Sequence, residues 1–210
     1  MRDVFIAGED EATRAVITRL ITNYAPNLRI VSSLPARGSQ LKAKIKEFND
    51  LASTSPVVLL ADLDTDNCAP IGKSNLLNGL VQSPEFIINI AVDEVEAWLL
   101  ADKAGFAKYF GLPLAAMPKF ELQKMSGRKA LSEIALSIKS SWHLTHQLIQ
   151  QSSNAELKAQ IEVPMHEKIC KGKEYNTAIV PFIMGYWNPE TARMASDSLN
   201  RMILRLQGIH

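Results

Sequence analysis

The sequence predicts an α/β fold, in which a mainly parallel four-stranded sheet is flanked by helices and followed by a mostly helical C-terminal half. Two observations predict it. Apolar segments of strand length alternate with segments of helical period in the first half of the chain, which is typical of a parallel sheet with helices on both faces. In addition, residues 56–61 are continuously apolar, as expected for a strand that is buried on both faces.

The first three elements are expected between the N-terminus and residue 32. Residues 3–7 form a short apolar segment that ends at Gly8, which permits a tight turn. The helix that follows, at about 10–24, carries apolar residues at helical spacing and ends before Pro26. A short second strand is then expected at 28–32.

The next elements complete the sheet. A second helix is expected at 39–51, with Leu41, Ile45 and Phe48 facing inward. The largely apolar residues 86–92 predict the last strand. The remaining expected elements of this half are the central strand at 56–62, a short helix at 76–81 and a helix at 93–101.

The second half of the chain is expected to be helical. Residues 126–140 and 141–151 have helical patterns. Asn188 as the N-cap and Pro189 at the first helical position open a long last helix, which ends at Gly208. No further strand is predicted in this half.

Length and composition indicate one sizeable core. The chain has 210 residues, of which 47% are hydrophobic, and this is enough for one core or for a core with a small appendage. Since the predicted strands end before residue 102, we divide the chain into an α/β core at 1–102 and a helical region at 103–210 that packs on or beside it.

Charge and cysteine content narrow the possible partners and compartment. The net charge is +1, so any nucleic-acid contact must come from a local basic patch. Cys68 and Cys170 match no metal-binding spacing and indicate a reducing compartment. The first residues lack the apolar core of a signal peptide, and no apolar run approaches membrane-spanning length. We therefore expect a cytoplasmic protein with no membrane contact; the sequence leaves the oligomeric state open.

Clusters of acidic residues follow three of the predicted strands. The carboxyl ends of parallel strands meet at one edge of a sheet, where ligands bind in open α/β folds, so we expect the clusters to converge there. Carboxylates repel one another unless a cation or basic groups neutralise them, and hard oxygen ligands suit Mg²⁺ or Mn²⁺. Such convergence is what a metal-dependent phosphoryl-transfer site needs. The clusters are Glu9, Asp10 and Glu11; Asp62, Asp64 and Asp66; and Asp93, Glu94 and Glu96.

Helix capping is the alternative interpretation of these acids. Acids in the first turn of a helix are favoured by the helix dipole, which covers residues 9–11. Asp93 and Glu96, three residues apart, fit a capping box. Aspartates are also common in turns after strands, which covers the acids at 62–66.

Three segments of the N-terminal half resemble the motifs of a known domain. Residues 5–11, F-I-A-G-E-D-E, are similar to the motif V-E-G-x-x-E, and residues 62–64 match D-x-D. Residues 95–101, V-E-A-W-L-L-A, resemble the signature F-E-x-W-L-L of RloB-like proteins. In this order the motifs resemble the TOPRIM domain of topoisomerases, bacterial primases, OLD-family nucleases and RloB-like proteins. They are closer still to a TOPRIM-like family of unassigned function with an E-A-W-L-L-A-D segment. The resemblance covers residues 3–102.

The resemblance implies a TOPRIM-like fold with a divalent-metal site. It implies that Glu11, Asp62 and Asp64 are catalytic and bind Mg²⁺ or Mn²⁺. Asp66, in the same cluster after the central strand, is a further candidate metal ligand. The resemblance further implies a metal-dependent nuclease or other nucleic-acid-processing protein, with a place in phage defence or a mobile element. Trp98, in the third motif, is expected to be a buried anchor under the site.

One position departs from the family pattern. The glutamate of V-E-G is Ala7 in this chain, and alanine can neither bind a metal nor move a proton. Glu9, two residues on, is the candidate substitute. The departure leaves enzymatic activity open. The alternative function is a non-catalytic TOPRIM-like module that binds a nucleic acid, a nucleotide or a partner protein.

Lys73 has two interpretations. Residues 70–74, P-I-G-K-S, end like a P-loop, but Asn67 stands where the first glycine is required and Pro70 stiffens the segment. Nucleotide binding through a P-loop is therefore the less favoured interpretation. The favoured one is that Lys73 lies beside the acids and holds a phosphate. Glu9 and Lys73 are the candidate cofactor-binding residues.

Other local groups suggest ligand contacts more weakly. Two clusters of basic residues, the second with aromatic residues near it, suit single-stranded nucleic acid, although solvated helix faces explain them as well. His143 and His146 lie three apart on a predicted helix and could share a metal, but no third ligand is apparent. The basic clusters are Lys119, Lys124, Arg128 and Lys129, and Lys168, Lys171 and Lys173, with Tyr175 and Trp187 near the second.

Overall fold

Four parallel strands form the sheet of the protein, as a computed structural model shows for residues 1–35, 40–63, 66–117, 141–153 and 173–209. Their spatial order is β2-β1-β3-β4, and each neighbouring pair is parallel. This confirms the predicted α/β class with a mainly parallel four-stranded sheet, and every pair of neighbouring strands is in fact parallel. The strands are β1 (Arg2–Gly8), β2 (Leu28–Ser33), β3 (Val57–Asp62) and β4 (Phe86–Ala91).

The central strand β3 is buried on both faces, as its apolar sequence predicts. Val58 and Leu60 point into one core, which also contains the C-terminal helices. Val57, Leu59 and Ala61 point into a second, smaller core on the other face of the sheet. Side chains alternate between the two faces of a strand, so a strand with apolar residues at every position needs a packed layer on each side.

The helices divide between the two faces. The smaller core is covered by α2, α3 and α4, and the larger by α1, α5 and the helices after them. The helices are α1 (Glu11–Tyr24), α2 (Gln40–Ala43), α3 (Ile45–Leu51), α4 (Ala69–Leu77), α5 (Val95–Ala101), α6 (Lys103–Phe110), α7 (Ser141–Gln150), α8 (Lys173–Pro181), α9 (Pro189–Arg193) and α10 (Asp197–Gln207), with a 3₁₀ turn at Leu114–Ala116 and a π-helical segment at Phe182–Tyr186.

Three helices differ from the sequence-based prediction. The helix expected at 76–81 is instead α4, which begins with Pro70 in its first turn and ends where Asn78 adopts a left-handed conformation with φ 44°. The single helix expected at 39–51 is divided into α2 and α3. The long last helix is divided into α9 and α10, because the side chain of Ser196 accepts from the Leu199 N–H and starts a new helix there. The helix expected at 126–140 lies outside the described residues.

The larger core joins the two halves of the chain. It contains Val4 and Val58 of the sheet together with Ile179, Trp187 and Leu199 of the C-terminal half. All five side chains are fully buried. The C-terminal helices therefore pack directly on the sheet face that α1 and α5 also cover. None of the described helices is long and apolar enough to cross a lipid bilayer.

Candidate functional site at the carboxyl edge of the sheet

Three of the predicted acids meet at the carboxyl edge. Glu9 follows β1, Asp62 ends β3 and Asp66 precedes α4, and all three line one cavity of about 50 Å³. Lys42 of α2 and Asn75 of α4 complete its polar lining. A cavity of this size holds an ion or a few water molecules rather than an organic ligand. Acids that follow two separate strands, β1 and β3, therefore line the same cavity.

Asp62 is held by the start of α5. Its Oδ1 atom accepts a hydrogen bond of 2.9 Å from the Val95 N–H. The first N–H groups of a helix have no partner inside the helix, so a carboxylate from the neighbouring strand satisfies one of them and also meets the positive end of the helix dipole. This contact fixes the carboxylate in the lining of the cavity.

Asp66 is held by α4. Its Oδ1 atom accepts a hydrogen bond of 2.8 Å from Asn75 Nδ2. Gly72 lets α4 approach closely, because a Cβ atom at this position would lie 3.1 Å from Asp66 Oδ2. The Gly72 N–H donates to the Cys68 carbonyl at 3.0 Å within the helix. It is therefore not free to cradle a phosphate, and the P-loop interpretation of residues 70–74 is wrong.

The predicted metal set is only partly assembled. Asp62 and Asp66 share the cavity, Glu11 is exposed in the first turn of α1 and is not among the residues that line it, and Asp64 lies outside the described residues. Within the described ranges, no three His, Cys, Asp or Glu side chains are arranged to hold a metal ion directly. Glu9, which the sequence offers as a substitute for the missing motif glutamate, is the third acid of the cavity.

Ala7 is a core residue of β1. It pairs in register with Leu59 of β3 and is 0% exposed. A glutamate side chain at this position would start within the smaller core and would have to displace its neighbours to reach the cavity. Glu9 reaches the same cavity from just beyond the end of the strand.

The acids after β4 serve a different purpose. Asp93 Oδ2 accepts from the Ser141 N–H at 3.0 Å, and Glu94 Oε2 accepts from the Trp142 N–H at 2.7 Å. These contacts bind the N-terminus of α7 to the sheet edge. Asp93 itself has a φ of 68°, and the N-cap of α5 is Glu94, which makes no side-chain cap bond. The capping box expected from Asp93 and Glu96 is therefore wrong.

Glu96 is buried beneath this edge. It is 1% exposed, and its Oε1 atom accepts a hydrogen bond of 2.9 Å from the Tyr175 hydroxyl. Burial, together with the nearby carboxylates of Glu96, Asp10 and Glu94, raises the pKa of Tyr175 well above its ordinary value. Tyr175 is 4% exposed and His146 stacks against its ring at 6.4 Å.

The aromatic residues proposed for base stacking are internal. Tyr175 and Trp187 are 4% and 0% exposed, so neither can stack on a nucleic-acid base. Trp98 is 0% exposed, which confirms its predicted role as an anchor, and its Nε1 atom donates to Ser198 Oγ at 2.8 Å. The side chain of Lys173 and the other lysines and arginine of the two basic clusters lie outside the described residues.

Lys73 lies on the other side of α4 from the acids. It lines two adjoining cavities along β4, where Arg205 of α10 also lies, and it is not among the residues that line the acidic cavity. The sequence pattern missed Arg205, Lys42 and Asn75. No local signal marks them, since each reaches its cavity only through the packing of its helix against the sheet.

Comparison with known proteins identifies a family but no function. No curated protein and no solved structure matches the chain. The family described as Domain of unknown function (DUF4276) matches residues 7–133, which is more than half of the 210 residues. The matched region includes Glu9, Asp62, Asp66 and Glu96. The chain therefore belongs to the DUF4276 family of domains of unknown function.

Proposed function

We propose that this protein binds a divalent cation, Mg²⁺ or Mn²⁺, at the carboxyl edge of its sheet and acts there on the phosphodiester bonds of a nucleic acid. The observation that supports the proposal is the cavity lined by Glu9, Asp62 and Asp66. Acidic side chains from two strand ends line this small cavity together with Lys42. Carboxylate oxygens are the ligands that Mg²⁺ and Mn²⁺ prefer, so a divalent cation suits this lining.

The cavity suits a cation that keeps part of its water shell. The described acids do not form a ready coordination sphere, and Mg²⁺ is usually bound through one or two carboxylates while it retains several waters. Asp62 and Glu9 would hold the hydrated ion. The bound ion would polarise a phosphate and lower the pKa of a water molecule.

Binding of Mn²⁺ by the Asp62→Asn variant tests the metal site. The amide oxygen of asparagine can still accept from the Val95 N–H, so the variant removes the charge but keeps the contact that holds α5. We expect Mn²⁺ affinity, measured by electron paramagnetic resonance or calorimetry, to fall at least ~10-fold. Asp50→Asn is the matched control, because Asp50 is an exposed acid of α3 that pairs with Lys46 at 2.8 Å. Equal Mn²⁺ affinity in all three proteins would refute the metal site.

Cleavage assays test the chemistry. Labelled single- and double-stranded DNA and RNA are incubated with the protein in Mg²⁺, Mn²⁺ or EDTA. We expect metal-dependent cleavage by the wild-type protein and by Asp50→Asn, and none by Asp62→Asn. A role in phage defence or a mobile element belongs to the same proposal. The defence role predicts that cells expressing the wild-type protein resist phage infection and that cells expressing Asp62→Asn do not.

The second candidate function is a non-catalytic module that binds a nucleic acid, a nucleotide or a partner protein. Two observations favour it. Ala7 takes the place of the principal acid of the resembled family, and one oxygen each of Asp62 and Asp66 is already occupied by an internal donor. In that case the acids at the carboxyl edge of the sheet stabilise the fold and bind no metal. Asp62→Asn would then leave any nucleic-acid binding intact, and no metal-dependent cleavage would be found.

A further inference from the structure

A groove runs along the open edge of β4. This strand is at the end of the sheet, with α4 on one side and α10 on the other. Two adjoining cavities of about 440 and 160 Å³ lie between these helices, and both are lined by Lys73, Ile88 and Arg205. We call this surface, which also includes Ile90 and Arg201, the β4-edge groove.

The floor of the β4-edge groove is strand backbone. The Glu85 and Ala91 carbonyls accept from the N–H groups of Val57 and Leu63, on and next to β3. The backbone N–H and C=O groups of odd-numbered β4 residues therefore point towards β3, and those of even-numbered residues point towards the open edge and the groove. The Ile88 carbonyl accepts from Arg205, at 3.3 Å. Within the described part of the chain, the Ile90 N–H has no hydrogen-bond acceptor. The groove therefore presents a backbone donor beside its cations.

The cations of the β4-edge groove are only partly neutralised. Arg201 pairs with Asp197 at 2.9 Å. Arg205 instead donates to neutral oxygens, those of Ile88 and of the Asn89 side chain at 2.8 Å. Among the residues that the structure describes, neither Lys73 nor Arg205 has an acidic partner within ion-pair distance.

The two unneutralised cations also repel each other. Burial and the nearby Arg205 lower the pKa of Lys73, and burial and Arg201 lower the pKa of Arg205. Glu85 and Asp197 also line the groove, but they pair with Arg2 and Arg201. The groove therefore keeps an excess of positive charge, which favours an anionic ligand.

We propose that the β4-edge groove binds phosphate groups, supplied either by a nucleic-acid backbone or by a nucleotide. Lys73 and Arg205 would bind the phosphate oxygens from opposite walls, with the Ile90 N–H between them. Ile90 lines both this groove and the acidic cavity, and α4 separates the two. A phosphate chain in the groove thus lies next to the cavity of Glu9, Asp62 and Asp66. The choice of phosphate over carboxylate rests on the proposed function.

Binding without metal tests the groove separately from the cation site. Fluorescence anisotropy in EDTA measures the affinity of a short labelled oligothymidylate as a function of salt, and competition with ATP and with pyrophosphate tests the nucleotide source. We expect Lys73→Met and Arg205→Met to weaken binding and to reduce the slope of log affinity against log salt by ~0.7 each. Lys46→Met removes an exposed lysine of α3 and should leave the slope unchanged.

Arg205→Lys separates charge from structure. Lysine keeps the positive charge but lacks the guanidinium group that donates to Asn89. If the slope of log affinity against log salt is retained in Arg205→Lys, the effect of Arg205→Met is due to the loss of charge. Circular dichroism confirms that each variant is folded. Tight binding of the oligonucleotide identifies the nucleic-acid source, and displacement by ATP or pyrophosphate alone identifies the nucleotide source.

Three results would overturn the phosphate groove. The first is that none of the three phosphate probes binds. The second is that the wild-type protein and both methionine variants bind them equally well. The third is that polyglutamate binds the wild-type protein as tightly as the oligonucleotide does and that both methionine variants lose this binding. The last would identify an acidic protein partner instead. None of these results depends on Mn²⁺ affinity, so the groove and the cation site can fail independently.

Discussion

At the scale of single residues, the pair of Tyr175 and Glu96 is the most consequential internal contact. The hydroxyl donates to Glu96 Oε1 at 2.9 Å, and the two residues are 4% and 1% exposed. A buried carboxylate needs such donors, because losing one leaves a charged or polar oxygen without the water it had in the unfolded chain. The pair also joins α5 to α8 across 79 positions of sequence.

Tyr175→Phe should destabilise the protein and flatten its alkaline unfolding. Loss of the hydroxyl is expected to cost ~1–3 kcal/mol at neutral pH, measured by urea unfolding. The pKa of Tyr175 is raised above its ordinary 10.0, so the folded protein keeps a proton that the unfolded chain releases above that pH. Stability should therefore fall as pH rises above 10.0, by up to about 1.4 kcal/mol per pH unit for this group, and the variant lacks that contribution.

Tyr186→Phe is the control for this prediction, because Tyr186 is 64% exposed and its substitution should change stability by less than about 0.5 kcal/mol. Tyr24, whose pKa is also raised by burial, remains in both proteins, so the difference in slope isolates Tyr175. Identical alkaline slopes for the wild-type protein and Tyr175→Phe would contradict the assignment.

At the scale of elements, carboxylates at the carboxyl edge of the sheet hold the start of α7. Asp93 and Glu94 bind the first N–H groups of α7, and Glu94 also accepts from Ser141 Oγ at 3.2 Å. The acidic residues after β4 thus act across nearly 50 positions of sequence. They cap a distant helix in the way that a local N-cap residue usually does.

Glu94→Ala should loosen α7 selectively. The substitution leaves the Trp142 N–H without its acceptor, and the expected loss of stability is ~1–2 kcal/mol. Hydrogen exchange followed by mass spectrometry should show faster exchange in α7 and unchanged exchange in β3. Glu47→Ala, at an exposed acid of α3, should change neither. Uniformly faster exchange through the whole chain after Glu94→Ala would mean that α7 does not open as a separate unit.

At the scale of the whole molecule, the sheet brings a surface lined by acids close to a surface lined by cations. The acidic cavity and the β4-edge groove lie on the two sides of α4 and share Ile90. The net charge of +1 hides this separation, since the positive and negative surfaces cancel in the sum. A cation in one site and a phosphate in the other would neutralise both.

Mn²⁺ should stabilise the folded protein by mass action. A ligand that binds only the folded state adds ~2.7 kcal/mol at a free concentration 100 times its Kd, so Tm should rise with added Mn²⁺ and return when EDTA is added. Asp62→Asn should show little or no rise, and Lys73→Met should show the full rise, because Lys73 is not part of the acidic cavity. A rise of equal size in Asp62→Asn would place the cation elsewhere on the protein.

The fold was largely predictable because its signals are local. The apolar run of β3 and the apolar face of α1 each reflect backbone geometry within a few residues, and both elements form where expected. The burial of Trp98 also follows from its apolar neighbours. Where local signals compete, the prediction failed: Asn78 ends α4, and Ser196 starts a new helix. In both places the capping residue outweighs the apolar pattern on which the prediction relied.

The sequence by itself determined that acids follow three parallel strands, and therefore that acids from different strands gather at the carboxyl edge. Only the tertiary structure decided which acids share a cavity and which bind other helices. Glu9, Asp62 and Asp66 meet, whereas Asp93 and Glu94 turn to α7. Neighbouring residues of a helix point about 100° apart, so Gly72 faces Asp66 while Lys73 faces the β4-edge groove. That division depends on how α4 and α10 pack against the sheet, which no local pattern encodes.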